Sequence, residues 1–322
     1  MLIVQKFGGS SLADGERLRH VARLCLRRRQ LEQELVVVVS AMGDTTDILN
    51  NRAMEQSQRP PLREMDALMT TGEQQCAALL VMALEELGLK AVSLTGWQAG
   101  ILTDRSHGNA DIKIIAPGRI KEELSLGKIP VVTGFQGICG KGDLTTLGRG
   151  GSDTTAVALA AALEAEGCEI YTDVDGIYTA DPRLINDAKL LEAIDFRDML
   201  ALSKAGSKVL HEKSVELAMA NNVELRLLSS FKDVPGTRVC HLKDSQRPDY
   251  AGISGRAEKG RISIGGKKAD AAAMSQAVML LAEKGIKSLG GSIADNCISL
   301  EVEKENFMEA MELLHREMVL KG

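Results

Sequence analysis

Short apolar runs alternate with helical patterns through the first two thirds of this 322-residue chain. Between the runs, residues 14–30 and 152–166 have helical patterns, and in the first of them Leu18, Val21 and Cys25 share a face. Strands that are apolar along their whole length are buried on both sides, which is typical of parallel sheets covered by helices. The pattern therefore predicts a three-layer αβα domain of the α/β class with a mostly parallel sheet. The runs interpreted as strands are MLIVQKF, LVVVVSAM, AVSLTG, IPVVTGF, CEIYTDV and VELRLLSS.

A polar stretch with two prolines and a glycine, VPGTRVCHLKDSQRPD, interrupts this alternation. We interpret it as a linker, which predicts a large domain over residues 1–235, the linker over 236–252 and a small domain over 253–322. After the linker, the order strand, helix, strand, strand, helix fits a small α+β sandwich of the ferredoxin-like kind. About 60 residues hardly bury a core alone, so we expect this domain to pack on a neighbour or on a second copy.

The charge balance favours a small-molecule partner. With 39 basic and 44 acidic residues the net charge is -5, which provides no cationic field for nucleic acid or anionic lipid. Aromatic residues make up only 3% of the chain, too few for a base-stacking platform. No run approaches the ~20 apolar residues that span a bilayer and the N-terminus lacks signal-peptide features, so we expect a cytoplasmic protein. The six cysteines form no C-x-x-C pair, which favours buried free thiols over a zinc cage or disulfides.

The segment VQKFGGSSL, residues 4–12, brings a strand into a glycine turn with a lysine just before it. Without Cβ atoms, Gly8 and Gly9 let backbone N–H groups approach an anion closely, and Lys6 adds a full positive charge at the same place. The segment is neither a G-x-x-x-x-G-K-[ST] phosphate loop nor a G-x-G-x-x-G fingerprint. Taken alone, such a turn is more often only a tight connection.

A second glycine-rich segment, residues 145–166, carries Arg149, Ser152 and Asp153 where a loop enters a long helix. Ser152 is a good N-cap and Asp153 complements the helix dipole in the first turn, so both have a structural explanation. Arg149 has no such structural explanation. A guanidinium between glycines has room to form a bidentate pair with a carboxylate or phosphate from outside. We therefore favour a binding role for this arginine.

Other polar segments lie where strand ends and helix starts gather around the cleft of an α/β sheet. Residues 171–183, YTDVDGIYTADPR, are either a pair of turns at Asp175 and Asp181 or a nucleotide edge with Arg183 near phosphate. The shorter segments SAMGDTTD, TTGEQQ and GSKVLH add hydroxyls, acids and a lysine, and each of them alone is ordinary surface polarity.

Together with APGRI at residues 116–120, these segments resemble the amino acid kinase family, and within it the aspartokinases, in the family's order. The LGRGGSD block is the most specific of them, and the resemblance covers roughly residues 1–240. It implies ATP-dependent phosphorylation of the β-carboxylate of L-aspartate, the first step towards lysine, threonine and methionine. It also implies Mg²⁺, held mainly on phosphate oxygens of ATP, since no all-protein metal cage is visible in the sequence.

The resemblance implies a role for each matching residue. Lys6 would contact the transferring phosphoryl group, Asp153 would orient Lys6, and Lys208 would neutralise charge from the other side. Arg149 would hold a carboxylate of aspartate, and Glu73 its amino group. The residues implied for aspartate are Thr46, Glu73, Arg149, Gly150, Gly151 and Ser152. The residues implied for ATP are Lys6, Phe7, Gly8, Gly9, Ser40, Thr172, Asp173, Tyr178, Asp181, Arg183 and Lys208.

The C-terminal segment resembles the ACT-type effector domains of aspartokinases, of which the family usually has two and only one is apparent here. In the first ACT-type domain of the family, an aspartate-lysine-proline-glycine loop commonly helps to bind an inhibitory amino acid. The corresponding stretch here, GGKKADAAAMSQ, lacks both the proline and the glycine at that place. We therefore expect weak or absent feedback by lysine or threonine, and a small domain that forms a homodimer or higher homo-oligomer. Two alternatives stay open: a kinase of another amino-acid or carboxylate acceptor, and a non-catalytic effector-binding regulator.

Overall fold

The computed structural model describes residues 1–207 and 209–321. The chain forms two compact units, one made of Met1–Asp175 and Ala220–Val234, the other of Gly176–Met219 and the residues from Pro235 onward. Residues 176–219 thus cluster with the C-terminal part of the chain. The domain boundaries predicted on either side of residues 236–252 remain a prediction.

The described chain contains both strands and helices, in single elements and in short runs of one kind. The strands are β1 (Leu2–Phe7), β2 (Glu34–Val39), β3 (Ala91–Leu94), β4 (Ile101–Thr103), β5 (Ile112–Ile115), β6 (Ile129–Thr133), β7 (Gln136–Cys139), β8 (Leu144–Thr146), β9 (Gly167–Thr172), β10 (Ala193–Asp195), β11 (Leu225–Ser229), β12 (Thr237–Cys240), β13 (Gly252–Arg256), β14 (Arg261–Gly265), β15 (Ser288–Ala294) and β16 (Cys297–Val302). The helices are α1 (Gly15–Gln30), α2 (Thr45–Gln56), α3 (Leu62–Met69), α4 (Thr71–Glu86), α5 (Gly118–Ser125), α6 (Gly151–Ala162), α7 (Phe196–Ala205), α8 (Glu212–Asn221), α9 (Ala271–Glu283) and α10 (Phe307–Leu314). Single turns of 3₁₀ helix cover Gly9–Leu12, Ala257–Lys259 and Lys304–Asn306, and a π turn, His315–Val319, continues α10.

A parallel sheet forms the centre of the first unit. Its strands lie in the order β11-β9-β1-β2-β6-β3, and every neighbouring pair is parallel. The six strands predicted from apolar runs are these six, so the predicted α/β class and mostly parallel sheet are confirmed. In this register Lys6 lies between Val38 of β2 and Ile170 of β9, near the carboxyl ends of the strands.

Helices cover both faces of this sheet. Leu35, Val37 and Val39 belong to a buried cluster with α1 and α4, and the alternation of a strand turns Val36 and Val38 to the opposite face, where α6 packs. Helix α1 begins after Asp14, which caps it by accepting hydrogen bonds from two backbone N–H groups at 2.9 Å. These two helix layers around one sheet are the predicted three-layer arrangement.

A second, smaller sheet of the first unit was not predicted. It has the order β5-β4-β7-β8, with antiparallel outer pairs and a parallel central pair. Its last strand, β8, leads into the glycine-rich segment at residues 148–151. The small sheet therefore positions that segment just before it enters α6.

The second unit contains a four-stranded antiparallel sheet in the order β13-β14-β16-β15. The predicted order of strand, helix, strand, strand and helix is present as β14, α9, β15, β16 and α10, which confirms a small C-terminal α+β unit. Strand β13, which pairs with β14, was missed, and β12 lies within the stretch predicted to be a linker. Alternate residues of β14 and β16 pack with α9 and α10 in one core.

All six cysteines are buried and free, as the sequence predicts. Burial raises the pKa of Cys25 and of Cys76 to about 12, so their thiols stay protonated at neutral pH. Among the described residues, no helix combines the length and the apolarity that crossing a membrane requires.

Candidate active site

A cavity of about 320 Å³ lies in the first unit, where β1 and β2 end and α6 begins. It gathers residues from five separate parts of the sequence, which are Lys6, Gly9, Ser40, Ala41, Gly43, Thr46, Glu73, Phe135 and residues 148–153. Every residue predicted to bind aspartate lines this cavity, together with Lys6 and Asp153. The ammonium of Lys6 and the guanidinium of Arg149 therefore face one common space.

Lys6 is held by an acidic side chain of helix α6. Its Nζ lies 2.7 Å from Oδ1 of Asp153, and the side chains of both residues are only 12% and 14% exposed. Asp153 belongs to the first turn of α6, where the helix dipole stabilises its negative charge. The pair fixes the lysine cation at the mouth of the glycine turn.

The glycine turn after β1 has a steric reason for its second glycine. A Cβ atom on Gly9 would lie 2.8 Å from the carbonyl oxygen of Ala41, so no larger residue fits without a backbone shift. Gly43 N donates a hydrogen bond of 3.1 Å to Gly9 O. The loops after β1 and β2 are thus packed directly against each other at the cavity.

Phe7, predicted to contact nucleotide, is fully buried and stacks on Tyr171 with ring centroids 4.6 Å apart.

Glu73 is a buried carboxyl group with half of its hydrogen-bonding capacity unused. It lies in the first turn of α4 and is 4% exposed. Its Oε1 accepts a hydrogen bond from Ala41 N at 3.1 Å, while Oε2 has no partner among the described residues. Burial raises the pKa of Glu73 to about 7. The group can therefore take up a proton or accept hydrogen bonds from a cation that enters the cavity.

Arg149 extends from a loop that only glycines can shape. Gly148 and Gly150 have φ of 74° and 73°, in the left-handed region, and a Cβ on Gly148 would lie 2.5 Å from Oδ1 of Asn109. The side chain of Arg149 is exposed and makes no ion pair within the part of the chain that the structure describes. Its guanidinium is available to an anion in the cavity.

The predicted N-cap role of Ser152 is wrong. Helix α6 begins at Gly151, and the residue before it, Gly150, makes no side-chain cap. Ser152 lies inside the first turn and is 9% exposed, because the chain at Gly134 packs closely on it; a Cβ on Gly134 would lie 2.7 Å from the Ser152 hydroxyl. The glycine pair lets the helix begin two residues earlier than a serine cap predicts.

The residues predicted for the nucleotide are divided between the two units. Thr172 and Asp173 follow β9 in the first unit, and Thr172 Oγ1 donates to Asp173 Oδ1 at 3.1 Å. Tyr178, Asp181 and Arg183 belong to the second unit, where Arg183 is 82% exposed and forms an ion pair with Asp181 at 2.7 Å. Lys208 lies outside the described residues.

Sequence reasoning missed Phe135 as a cavity residue. It follows β6 with a φ of 68°, an unusual conformation for a bulky residue, and its N–H donates to Thr155 Oγ1 at 3.1 Å. Its position between two glycines in GFQG was the available signal, but a hydrophobic residue after a strand ordinarily indicates core. Backbone strain of this kind is visible only in three dimensions.

The cavity combines charges that suit an anionic donor and a zwitterionic acceptor. Lys6 and Arg149 can bind anions, and Glu73 can bind a cation. Among the described residues no three histidine, cysteine or acidic side chains cluster as metal ligands. A divalent cation here would thus need most of its ligands from the bound substrate.

Residues 1–229 match the sequence profile described as the amino acid kinase family. The aspartokinase of Corynebacterium glutamicum is 55% identical over 239 residues, which are 74% of this chain and 57% of the relative. The chain thus spans less than two thirds of the length of the curated relative it matches.

Solved structures support the same relationship. Aspartate kinase from Synechocystis has a TM-score of 0.69 at 32% identity, and the match covers 98% of this chain and 69% of that chain. E. coli aspartokinase III in complex with aspartate and ADP has a TM-score of 0.73 at 25% identity, and the match covers 93% and 78%.

Proposed function

The chain belongs to the amino acid kinase family, and we propose that it is an ATP-dependent aspartate kinase, which phosphorylates the β-carboxylate of L-aspartate. The observation that carries the proposal is the meeting of Lys6, Arg149 and Glu73 in one cavity, with Asp153 paired to the lysine. This set offers one cation to the phosphoryl group and a cation and an acid to the two ends of an amino acid. The aspartate and ADP bound to E. coli aspartokinase III support the same pair of substrates.

Arg149 and Glu73 would select the acceptor. The guanidinium of Arg149 would form a bidentate pair with a carboxylate of aspartate, and its glycine neighbours leave the approach open. Oε2 of Glu73 would accept hydrogen bonds from the amino group, which gives this buried oxygen a partner. Thr46, Gly150, Gly151 and Ser152 line the same cavity and would complete the contacts.

In the transfer, a β-carboxylate oxygen attacks the terminal phosphorus of ATP in line with the bridging oxygen. The new bond joins carboxylate oxygen and phosphorus, the bond from phosphorus to the bridging oxygen breaks, and ADP leaves with the electron pair. The ionised carboxylate has no proton to lose, so the reaction needs alignment and charge stabilisation rather than a general base. Lys6, held by Asp153 at 2.7 Å, would stabilise the charge on the equatorial phosphoryl oxygens.

Mg²⁺ would accompany ATP, which would supply most of its ligands. The cavity fits this arrangement, because its two acids are engaged otherwise: Asp153 pairs with Lys6, and Glu73 is buried with a raised pKa. When bound, the ion would neutralise phosphate charge. From the first unit, Lys6, Gly8, Gly9, Ser40, Thr172 and Asp173 would hold the nucleotide, and Phe7 would contribute through its main chain only. The nucleotide-binding roles of Tyr178, Asp181, Arg183 and Lys208 stay predictions of the sequence.

A homodimer or higher oligomer formed through the C-terminal residues 253–322 also stays part of the proposal. Its support is the size argument, since so short a segment buries little core of its own. The lysine, threonine and methionine pathway is the proposed context of the reaction.

The deciding experiment is a coupled assay of ADP release with L-aspartate and, in parallel, with L-glutamate. Hydroxylamine trapping of the acyl phosphate identifies the phosphorylated acceptor. We expect turnover with aspartate and little with glutamate. Turnover with another acceptor only would assign a different kinase, and ATP turnover with none of a panel of amino acids would indicate a non-catalytic regulator.

A further inference from the structure

A buried carboxylate beside the active-site cavity collects hydrogen bonds from two other segments of the first unit. Asp66, on α3, is 1% exposed and does not line the cavity. Its Oδ1 accepts from Thr146 Oγ1 at 2.5 Å, its Oδ2 lies 2.8 Å from His107 Nδ1, and both oxygens lie 3.1 Å from Gly108 N. Because a carboxylate only accepts, Nδ1 of the histidine carries the shared proton.

The donors belong to the two chain segments that support the arginine loop. Thr146 ends β8, three residues before Arg149, and its carbonyl oxygen accepts a hydrogen bond from Ala110 N at 2.8 Å. His107 and Gly108 belong to the loop whose next residue, Asn109, lies directly against Gly148. Asp66 therefore ties together both sides of the wall on which the loop rests.

Packing alone does not explain why a carboxylate occupies the position of Asp66. Burying a carboxylate is unfavourable unless hydrogen bonds compensate, and an apolar side chain would fill the same space at no such cost. What a network of charge-assisted hydrogen bonds adds is a defined position for the segments it joins.

We infer that Asp66 is a positioning residue that holds the Gly148–Gly150 loop, and with it Arg149, at the place where the acceptor carboxylate binds. The inference rests on the proposed function. It assigns to Asp66, Thr146 and His107 an effect on aspartate binding, although none of them touches the cavity. A displacement of about 1 Å in a binding group costs up to a hundredfold in rate or affinity.

The chain offers a matched pair of threonines for the test. Thr146→Val removes the hydroxyl that donates to Asp66 and keeps the shape of the side chain. Thr145→Val removes the neighbouring buried hydroxyl, which forms a hydrogen bond of 2.6 Å with Thr103 Oγ1 and none with Asp66. Thr146→Ser keeps the hydroxyl and serves as the rescue variant. The KM values for aspartate and ATP, kcat and Tm are measured for the wild type and all three variants.

We expect Thr146→Val to raise the KM for aspartate about tenfold, with kcat and the KM for ATP within threefold of the wild type. Thr146→Ser and Thr145→Val keep the KM for aspartate within twofold, although Thr145→Val also lowers Tm by removing a buried hydrogen bond. An unchanged aspartate KM in Thr146→Val, or an equal rise in Thr145→Val, overturns the inference. A wild type without aspartate-dependent ADP release overturns the proposed function and this inference with it.

If Thr146→Val does not fold, His107→Ala replaces it, because this side chain is 19% exposed and its removal leaves the other donors in place. A rise of at least threefold in the aspartate KM supports the positioning role. An aspartate KM within twofold of the wild type overturns it.

Discussion

Replacing Glu73 by glutamine should make the ligand-free protein more stable at alkaline pH. The carboxyl group is 4% exposed, with one hydrogen bond from Ala41 N and one oxygen unpaired among the described residues. Burial raises its pKa from 4.5 to about 7. Glutamine keeps the shape of the side chain and removes its charge, so Glu73→Gln isolates the effect of ionisation.

The sign and size of the effect of Glu73 on the free energy of unfolding follow from proton linkage. The folded protein holds this proton more tightly than the unfolded chain, so the contribution to stability is complete below pH 4.5 and is lost as the pH rises through about 7. At about 1.4 kcal/mol per pH unit, the interval from 4.5 to about 7 corresponds to roughly 3 kcal/mol. About 2 kcal/mol of this change falls between pH 5.5 and pH 8.5.

Urea unfolding at these two pH values measures the effect. Trp97 is the only tryptophan of the chain and lies in the same unit as Glu73, so its fluorescence reports on the relevant unfolding. From pH 5.5 to 8.5 the wild type should lose about 2 kcal/mol of unfolding free energy relative to Glu73→Gln. A difference that stays constant with pH, or that changes in favour of the wild type, refutes the reasoning.

Glu123→Gln is the matched control. Glu123 is also buried, at 3% exposure, but Lys128 and Arg119 hydrogen-bond to it and lower its pKa. Both test pH values lie above its titration, so this variant should be less stable than the wild type by the same amount at pH 5.5 and 8.5. Only the carboxyl group without a cationic partner should show the pH dependence.

Three further predictions concern activity. Lys6→Met should lower kcat on the order of a thousandfold, because it removes a charge that acts in the transition state; single-turnover kinetics on the folded variant check this, and retained turnover would contradict it. Arg149→Ala should raise the KM for aspartate tenfold or more and leave the KM for ATP nearly unchanged, whereas an unchanged aspartate KM would remove the residue from the acceptor site. Lysine, threonine and methionine, each titrated into the assay, should inhibit weakly or not at all; strong inhibition at sub-millimolar concentration would show that the stretch GGKKADAAAMSQ does not abolish effector binding.

The central sheet was predictable because its strands are apolar along their whole length. β2, with the sequence ELVVVV, can form little else in a chain with helical patterns on either side. The small sheet of β4, β5, β7 and β8 was not, since strands of three or four residues such as β8, LTT, show no periodicity. Strand β13, GISGR, was missed because two glycines and a terminal arginine hide its alternation.

For the site, glycine spacing and unexplained charges indicated Lys6 and Arg149, and the structure brings both to one cavity. Burial was the part that sequence could not supply. Nothing in TTGEQQ distinguishes a surface glutamate from Glu73, whose pKa is raised by burial of the carboxyl group. Asp66 was invisible for the same reason, because its partners are 41 and 80 residues away along the chain. Such long-range neighbours have no local pattern.

Because every cysteine is buried, the rate at which the thiols react with a reagent reports how often the structure opens. A reagent such as an aromatic disulfide can label a cysteine only after the surrounding structure parts, since all six are buried. Cys25, Cys76, Cys139 and Cys168 lie in the first unit, while Cys240 and Cys297 lie in the second. In a timed pulse of reagent, opening of the first unit adds the mass of four labels to the chain, and opening of the second unit adds the mass of two. Mass spectrometry of the whole chain therefore identifies the unit that has opened, without any mutation.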